Sequence, residues 1–508
     1  MSHTVFEAAD APDRGTVAPN ASARSTWGSA LTLAAFGTAI FWKSDVGINW
    51  GLWIAGVVVA LVGCARERFG FAGAPAVAAG SWAIVLALGT AVTTAGPRAG
   101  FLILMSAALL AIALVSAGQP SLDVLHSRTA LLAPFVAIAL TLYGLGAEAT
   151  GTARNARSPR FTSIARSALI TLPVIIVLIL LLGEADPLFA AVRDGIEHLV
   201  PADFVSRFLF FCVLLAITLG AYGSVQSGET HVHVAPTPTR RTIGQLERRV
   251  LLTALASIMW LFVISATISL TRNPAAKAGS GITYAEYVHR GFAELSLAAT
   301  LVIGVVLVTR RSWLIADPAA RRLALIAIAG VGGMIAIAFL RVVGYEQVYG
   351  FTVLRLYAQA YMVVLASMSV LLAIEISRRA PSTRFSYHSA TAALAVLAIC
   401  VFWNTDAWIV RHNVDRYMTT GKIDVFYITS MLSDDATPAL VDSVVRLREP
   451  ERSAVTTFLR RRDARRWDRD PSWYAWNLRA SASAKAARAF HGNDILGATK
   501  QAVERARF

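Results

Sequence analysis

Long apolar runs without a charged residue restrict this chain more than any other feature of its sequence. Residues 167–183 and 250–270 contain no Asp, Glu, Lys or Arg. They approach the length of about 20 residues that an α-helix needs to cross the core of a bilayer. Because the apolar residues are continuous rather than alternating, transmembrane β-strands are excluded. The predicted fold is therefore all-α, a polytopic transmembrane helical bundle.

The composition agrees with this class of protein. The chain of 508 residues is 56% hydrophobic and 16% charged, whereas about a quarter of the residues in a soluble domain are charged. The net charge is +15, which in a soluble protein would suggest nucleic acid. Here most of the arginines fall in short loops between apolar segments, where basic residues set the orientation of spans. We expect no nucleic-acid partner.

Eleven or twelve apolar segments are candidate spans. They cover residues 27–42, 50–63, 76–94, 101–117, 131–146, 168–183, 204–222, 250–270, 292–308, 323–343, 351–376 and 390–403. Residues 1–26 are polar and are predicted to be a disordered N-terminal tail. Residues 27–403 form the predicted bundle. Residues 404–508 are polar with several helical periodicities, and we interpret them as a small extramembrane α-helical domain.

The distribution of arginine predicts which way the later spans run. Four loops carry clustered arginines, at residues 154–166, 240–249, 310–322 and 378–384, and the alternate loops are acidic or weakly charged. The positive-inside rule places these four loops in the cytoplasm and residues 404–508 outside it. In the first five spans Arg66, Arg98 and Arg128 scatter on both sides, so the side of the N-terminus stays open.

The stretch RVVGYEQVYGFTVLRLY, residues 341–357, carries charge and tyrosine between two apolar segments. We predict a tight outer turn marked by Gly344 and Gly350, with the tyrosines at the membrane interface. Arg355 would then lie roughly 8 Å inside the next span, at about 1.5 Å per residue. Because an isolated cation at that depth is costly, Arg355 is expected to face the bundle and pair with an acid.

The preceding span supplies a candidate acid. Glu294 shares one helical face with two tyrosines and a glycine, within about 80° of arc. The predicted intramembrane cluster consists of Arg290, Glu294, Arg341, Glu346 and Arg355. Two interpretations remain open, an ion pair that locks helices together and a ligand or ion site that opens outward.

Motifs for catalysis, metals or cofactors are missing from the sequence. His231 and His233 have no third ligand nearby, and no Walker motif, nucleophile elbow or zinc-protease helix occurs. We therefore predict no catalytic residue, no metal site and no cofactor. In the C-terminal region, the arginine-rich residues 460–469 indicate a solvated helix face or a contact with anionic headgroups or envelope polymers. Residues 470–490 are predicted to form an alanine-rich helix with a proline start.

Three motifs resemble a known family. TYAEYVHRGFAEL, YGFTVLRLYAQAY and NTDAWIVRHNVDRYMTTGKIDVFYITSMLSDDATPAL resemble the bacterial polytopic family called domain of unknown function 4173, and its relative 4153. The resemblance implies a membrane-embedded bacterial protein and carries no assigned activity or ligand. Besides the cluster above, its motif positions are Tyr284, Tyr287, Gly291, Tyr349, Gly350, Asn404, Asp406, Asn413, Asp415, Arg416 and Asp424.

Two functions of different classes follow from these observations. The first is a non-enzymatic scaffold or sensor of the bacterial inner membrane, with the lipid bilayer around its spans. Its residues 404–508 would bind an envelope protein or an anionic lipid or polymer. The alternative is a transporter or permease with a polar intramembrane site near Glu294 and Arg355. Transporters commonly show corresponding halves with broken helices, and since no internal repeat is evident, the first function is favoured. An enzyme acting on lipid-linked substrates is a third possibility.

Overall fold

The secondary structure is helical wherever it is described. The computed structural model describes residues 22–120, 133–141, 144–145, 202–227, 245–271, 284–310, 317–378, 385–461 and 472–505. Within these ranges no residue is in a β-strand, and the predicted all-α class is confirmed. The predicted span at 168–183 lies outside the described residues, and the one at 131–146 is described only in part.

Ten helices of the described ranges correspond to predicted spans. They are α1 (Ser22–Phe41), α2 (Ile48–Phe69), α3 (Ala74–Leu88, extended by a 3-10 turn at Gly89–Val92), α4 (Gly96–Val115), α5 (Ala202–Ser227), α6 (Gln245–Thr271), α7 (Tyr284–Thr309), α8 (Pro318–Tyr349), α9 (Val353–Arg378) and α10 (Phe385–Phe402). Eight of these ten are long and apolar enough to cross a membrane, and α1 and α7 carry shorter apolar stretches. The chain is a multi-pass membrane protein.

The described residues belong to two compact units. Those of the first fall within Met1–Ala39, Ala60–Phe71 and Ile138–Thr230. In this unit the Thr218 hydroxyl lies 3.5 Å from the carbonyl oxygen of Ala30, so α5 packs against α1. The second unit takes in Ile40–Val59, Ala72–Ala137 and His231–Phe508. Every contact considered below lies within the second unit.

The long helix α8 is the centre of the apolar core of the second unit, packed against α6, α7 and α9. Its small residues allow close approach: a Cβ at Gly330 would come within 2.8 Å of the Met259 Cβ on α6. The N-terminus of α8 is held by Asp317, whose carboxylate accepts from the backbone N–H groups of Ala319 and Ala320. Hydrogen bonds from Arg249 lower the pKa of Asp317 to about 2, so this cap stays charged.

The C-terminal region, residues 404–508, continues directly from α10. Its described helices are α11 (Thr405–Thr420), α12 (Thr437–Ser443), α13 (Glu451–Arg461) and α14 (Leu478–Arg505). Shorter elements are a π-helical turn at Tyr427–Met431 and 3-10 turns at Asp434–Ala436, Val444–Arg446 and Trp473–Ala475. They enclose a hydrophobic core against which Phe351 and Val353, from the connection between α8 and α9, are packed. The C-terminal region is therefore docked on span ends rather than separate from them.

Three predicted boundaries differ from the structure. The tight turn is shorter than predicted, because α8 continues through Gly344 and ends only at Gly350; one glycine inside a helix costs only about 1 kcal/mol. The alanine-rich helix begins at Leu478 rather than at Pro471, because Asn477 provides its cap through the N–H of Arg479. Helix α1 begins at Ser22, inside the predicted tail.

Candidate functional site

Two aspartates of the C-terminal region are buried where it meets the ends of α3, α4 and α10. Asp406 is 0% exposed and Asp435 is 1% exposed. A buried carboxylate is tolerated only when charges and hydrogen bonds compensate it. The contacts of these two residues therefore define what this junction can do.

Asp406 lies in the first turn of α11 and contacts Arg98 on α4 and Ser433 in its own region. Its Oδ1 accepts a hydrogen bond of 2.5 Å from Nη2 of Arg98. Its Oδ2 accepts from the backbone N–H of Ser433 at 3.0 Å and from the Ser433 hydroxyl at 2.5 Å. Burial alone raises the pKa of Asp406, but the charge of Arg98 and these hydrogen bonds outweigh it and hold the pKa below its ordinary value. Asp406 is therefore held as a carboxylate at neutral pH.

Asp435 joins the C-terminal region to the start of α4 and to α14. Its Oδ1 accepts from the backbone N–H of Thr94 at 2.8 Å and from the Thr94 hydroxyl at 2.6 Å. Its Oδ2 accepts from the Thr93 hydroxyl at 3.3 Å and pairs with Nη1 of Arg479 at 3.1 Å. Arg98 lies 3.8 Å from the same oxygen, so its guanidinium bridges the two buried acids.

Arg479 connects these residues to a further span, α10. Its Nη2 donates to the carbonyl oxygens of Val401 at 2.7 Å and Phe402 at 3.1 Å. These carbonyls end α10 and have no partner within the helix, and a cation there also complements the helix dipole. Arg98, Asp406, Asp435 and Arg479 together form what we call the docking network.

Two asparagine side chains extend the docking network through backbone atoms. Asn477 Nδ2 donates to the carbonyl oxygens of Thr90 and Thr93, both at 2.9 Å, at the end of α3. Asn404 Nδ2 donates to the carbonyl oxygen of Asp435 at 3.0 Å. Each asparagine also caps its own helix, α14 or α11, through Oδ1. At the junction, the charged side chains pair with one another and the asparagine side chains satisfy backbone groups at helix ends.

A second polar contact joins α11 to the connection between α8 and α9. Asn413 and Phe351 exchange hydrogen bonds: the Phe351 N–H donates to Oδ1 at 2.8 Å, and Nδ2 donates to the Phe351 carbonyl at 2.9 Å. The Tyr427 hydroxyl accepts from the N–H of Val353 at 2.8 Å. Arg416 donates to the carbonyl oxygens of Val348 and Lys422, both at 3.0 Å. The connection is therefore held at several points by the C-terminal region.

Arg355 lies nearer the end of its helix than predicted, because α9 begins at Val353 rather than near Gly350. It lies in the first turn of α9 and is half-buried, its guanidinium donates to the carbonyl oxygen of Gly350, and it lies 4.3 Å from the centre of the Tyr345 ring. Glu346 interacts with it electrostatically, but among the described atoms the two form no ion pair. The carbonyl and the ring lie against the cation near the helix end. Its predicted pairing with Glu294, whose side chain lies outside the described residues, stays a prediction.

Glu346 takes a different partner. It is 3% exposed, and its Oε2 accepts from Nε2 of Gln359 at 2.7 Å. Its Oε1 has no hydrogen-bond partner among the described residues. The half of the predicted cluster on α8 and α9 therefore contains a buried acid, one oxygen of which has no hydrogen-bond partner among the described side chains.

The remaining predicted residues fall in several places. Tyr284, Tyr287, Arg290, Gly291 and Glu294 lie on α7, where only the backbone is described, so their part of the cluster stays a prediction. Arg341 is half-buried on α8. Tyr349 packs its ring 4.5 Å from Tyr345, Asp415 pairs with Arg446 at the surface, and Asp424 accepts from the N–H of Tyr427 at the start of the π-helical turn.

Sequence reasoning missed three of the four members of the docking network. Arg98 was noted only as a scattered cation, and Asp435 and Arg479 were not singled out. A lone arginine at the start of an apolar span and the acidic pair Asp434–Asp435 inside the third motif were the available signals. The described residues contain no group of three or more His, Cys, Asp or Glu side chains that could hold a metal ion.

A family model matches a part of the chain that contains most of the docking network. Residues 30–443 match the family described as Domain of unknown function (DUF4153). The chain belongs to this family. Comparison with curated proteins and with solved structures gave no match. The region of DUF4153 similarity includes Arg98, Asp406 and Asp435, whereas Arg479 lies beyond it. The match is to the relative 4153, and the resemblance to 4173 stays a prediction.

Proposed function

We propose that this protein is a non-enzymatic scaffold of the bacterial cytoplasmic membrane, which holds its C-terminal region on the span ends so that this region can bind another envelope component. The observation that carries the proposal is the docking network, in which Arg98 of α4 bridges two buried aspartates of the C-terminal region. A buried charge that loses its partner is strongly destabilising. The C-terminal region is therefore expected to stay in one orientation on the spans.

The chemistry of the buried acids supports a structural role over a catalytic one. A general base needs a carboxylate oxygen that is free to take a proton from a substrate. Each carboxylate oxygen of Asp406 and Asp435 already accepts at least one hydrogen bond from an arginine, threonine or serine. These contacts suit residues that fix the orientation of the C-terminal region on the spans.

The exposed surface of the C-terminal region suggests the chemistry of its partner. Its exposed basic side chains on α13 and α14 are Arg452, Arg460, Arg461, Lys485 and Arg488. Clustered basic side chains attract anionic surfaces and polymers. The partner that this surface fits is an acidic envelope protein, anionic headgroups or an anionic polymer.

The side of the membrane is the first test. A reporter enzyme that is active only outside the cytoplasm, fused after Phe508, is expected to be active, because four arginine-rich loops alternate with acidic ones. The matched control is the same reporter inserted at the arginine pair 240–241, ahead of α6, where it should be inactive. Activity in the loop and none after Phe508 would reverse the proposed orientation.

Contact with a partner is the second test. A photoreactive residue at Lys485 is expected to form one defined adduct with an envelope component in intact cells, because this position is exposed on α14. The adduct should fall several-fold in an Arg98→Ala background at matched expression, since the docking network no longer orients the C-terminal region. An adduct of unchanged yield in that background would contradict the role of docking.

A transporter is the second candidate function. It is favoured by the buried Glu346, whose Oε1 has no hydrogen-bond partner within the described part of the chain. An acid in that state within a span is typical of proton or ion pathways. If the protein reconstituted in vesicles conducts protons and Glu346→Gln abolishes the flux, the scaffold proposal fails and the transporter is correct. Equal, background-level flux through both proteins is expected if the scaffold proposal holds.

A further inference from the structure

Two large apolar side chains of the C-terminal region are exposed beside the spans. Phe426 is 64% exposed and Met431 is 59% exposed. Phe426 precedes the π-helical turn at Tyr427–Met431 and Met431 ends it, while Ile428 and Thr429 within the turn are buried. Exposed apolar side chains that share one side of an element mark a binding surface more often than scattered ones do.

The π-helical geometry accounts for the alignment of Phe426 and Met431. In an α-helix, residues five apart point about 140° from one another, since each residue advances about 100°. A π-helix joins residues five apart by its hydrogen bonds, so they lie nearly one above the other. The unusual turn therefore presents Phe426 and Met431 together, while Tyr427 between them turns toward the spans.

Tyr427 shows where this pair lies. Its hydroxyl accepts from the N–H of Val353, so the π-helical turn is next to the first turn of α9. There Leu354 is 70% exposed, and Val348 at the end of α8 is 57% exposed. Large apolar side chains exposed on spans face lipid. The π-helical turn that carries Phe426 and Met431 is thus beside the exposed apolar side chains of α8 and α9.

The neighbouring polar side chains indicate the depth of this surface. Tyr345 and Tyr349 pack together at the end of α8, and the Arg355 guanidinium turns back toward the carbonyl of Gly350. Paired tyrosines and arginines that turn toward the helix end are typical of the boundary between headgroups and acyl chains. The α8–α9 connection therefore lies at the level of the membrane interface.

We infer that Phe426 and Met431 lie in the interfacial layer of the bilayer, and that the C-terminal region is anchored to lipid directly as well as to the span ends. The chemistry is that of interfacial anchoring, in which apolar side chains are buried a short distance below the headgroups. This inference concerns contact with lipid and holds whether or not the exposed basic surface binds a partner.

The test measures the depth of each side chain with a fluorophore. Cys64, Cys212 and Cys400 are replaced by alanine, and single cysteines are introduced as Phe426→Cys and Met431→Cys, then labelled with bimane. The full chain is reconstituted in phosphatidylcholine nanodiscs containing a lipid with a nitroxide near the glycerol end of its acyl chain. Bimane at both positions should be quenched several-fold more strongly than at a control position.

The control is Val445→Cys, because Val445 is 78% exposed on the same region and its carbonyl accepts from Arg452, which places it beside α13. Quenching at Phe426 and Met431 no stronger than at Val445 would overturn the proposal. A probe at Phe426 that is shielded from water but not quenched would show protein rather than lipid against this surface, and would overturn it too. A thermal unfolding midpoint equal to that of the cysteine-free parent confirms that each labelled variant is folded.

Discussion

Replacing Asp435 by alanine is expected to lower the free energy of unfolding by about 3–5 kcal/mol, because removing one partner leaves buried charge uncompensated. The Arg479 side chain is 8% exposed, and its guanidinium is 3.1 Å from Asp435. Arg98 would keep Asp406 but lose its second acid. The same substitution also removes the acceptor for Thr94 at the start of α4.

The measurement is equilibrium unfolding of the purified protein in detergent micelles, followed by the protection of the C-terminal region from protease. The matched control is Asp415→Ala, which breaks an ion pair with Arg446 whose side chains are 57% and 43% exposed. An exposed pair contributes about 0–1 kcal/mol, so the control should remain close to wild type. Equal stability of the two variants would show that the docking network does not hold the C-terminal region.

Replacing Gly350 by alanine is expected to lower the free energy of unfolding by about 2–6 kcal/mol, the sum of about 1–3 for backbone strain and about 1–3 for overpacking. Gly350 has φ +85° and ψ 175°, a region that is essentially restricted to glycine. A Cβ at this position would lie 2.5 Å from Oδ1 of Asn413. It would therefore displace the side chain that holds Phe351.

Gly421→Ala separates the two contributions. Gly421 ends α11 with φ +67° and ψ 10°, and no atom lies within 4 Å of a Cβ built there. Only the cost of the left-handed conformation remains, about 1–2 kcal/mol. If Gly350→Ala is no worse than Gly421→Ala in the same unfolding measurement, the contact between Asn413 and the α8–α9 connection does not contribute to stability.

Much of the fold follows from patterns that are local in the sequence. Each described span was predicted from a continuous apolar run, because about 20 apolar residues in lipid must satisfy their own backbone hydrogen bonds as a helix. Helix ends were less accurate. Gly344 and Pro471 resemble helix boundaries in the sequence. In the structure α8 ends at Gly350, which lies against Asn413, and α14 begins after Asn477, whose side chain donates to the end of α3.

The candidate site depended on residues that are distant in the sequence. Asn404, Asp406, Asn413 and Arg416 were singled out through motifs, and all four contact the spans or the docking network. The depth of Arg355 was predicted by counting residues from Gly350 along one helix. In the structure it is near the helix end, beside a carbonyl and an aromatic ring.

The sequence by itself determined that this protein is an all-α, multi-pass membrane protein with a polar helical C-terminal region. Hydropathy and helix length are properties of consecutive residues, so no knowledge of the fold was needed for either. Only the tertiary structure decided that Arg98 pairs with Asp406, 308 positions away, and that Asp435 pairs with Arg479. A buried charge is stabilised by whichever opposite charge the packing of helices brings within about 4 Å, and that distance is not encoded in any local pattern.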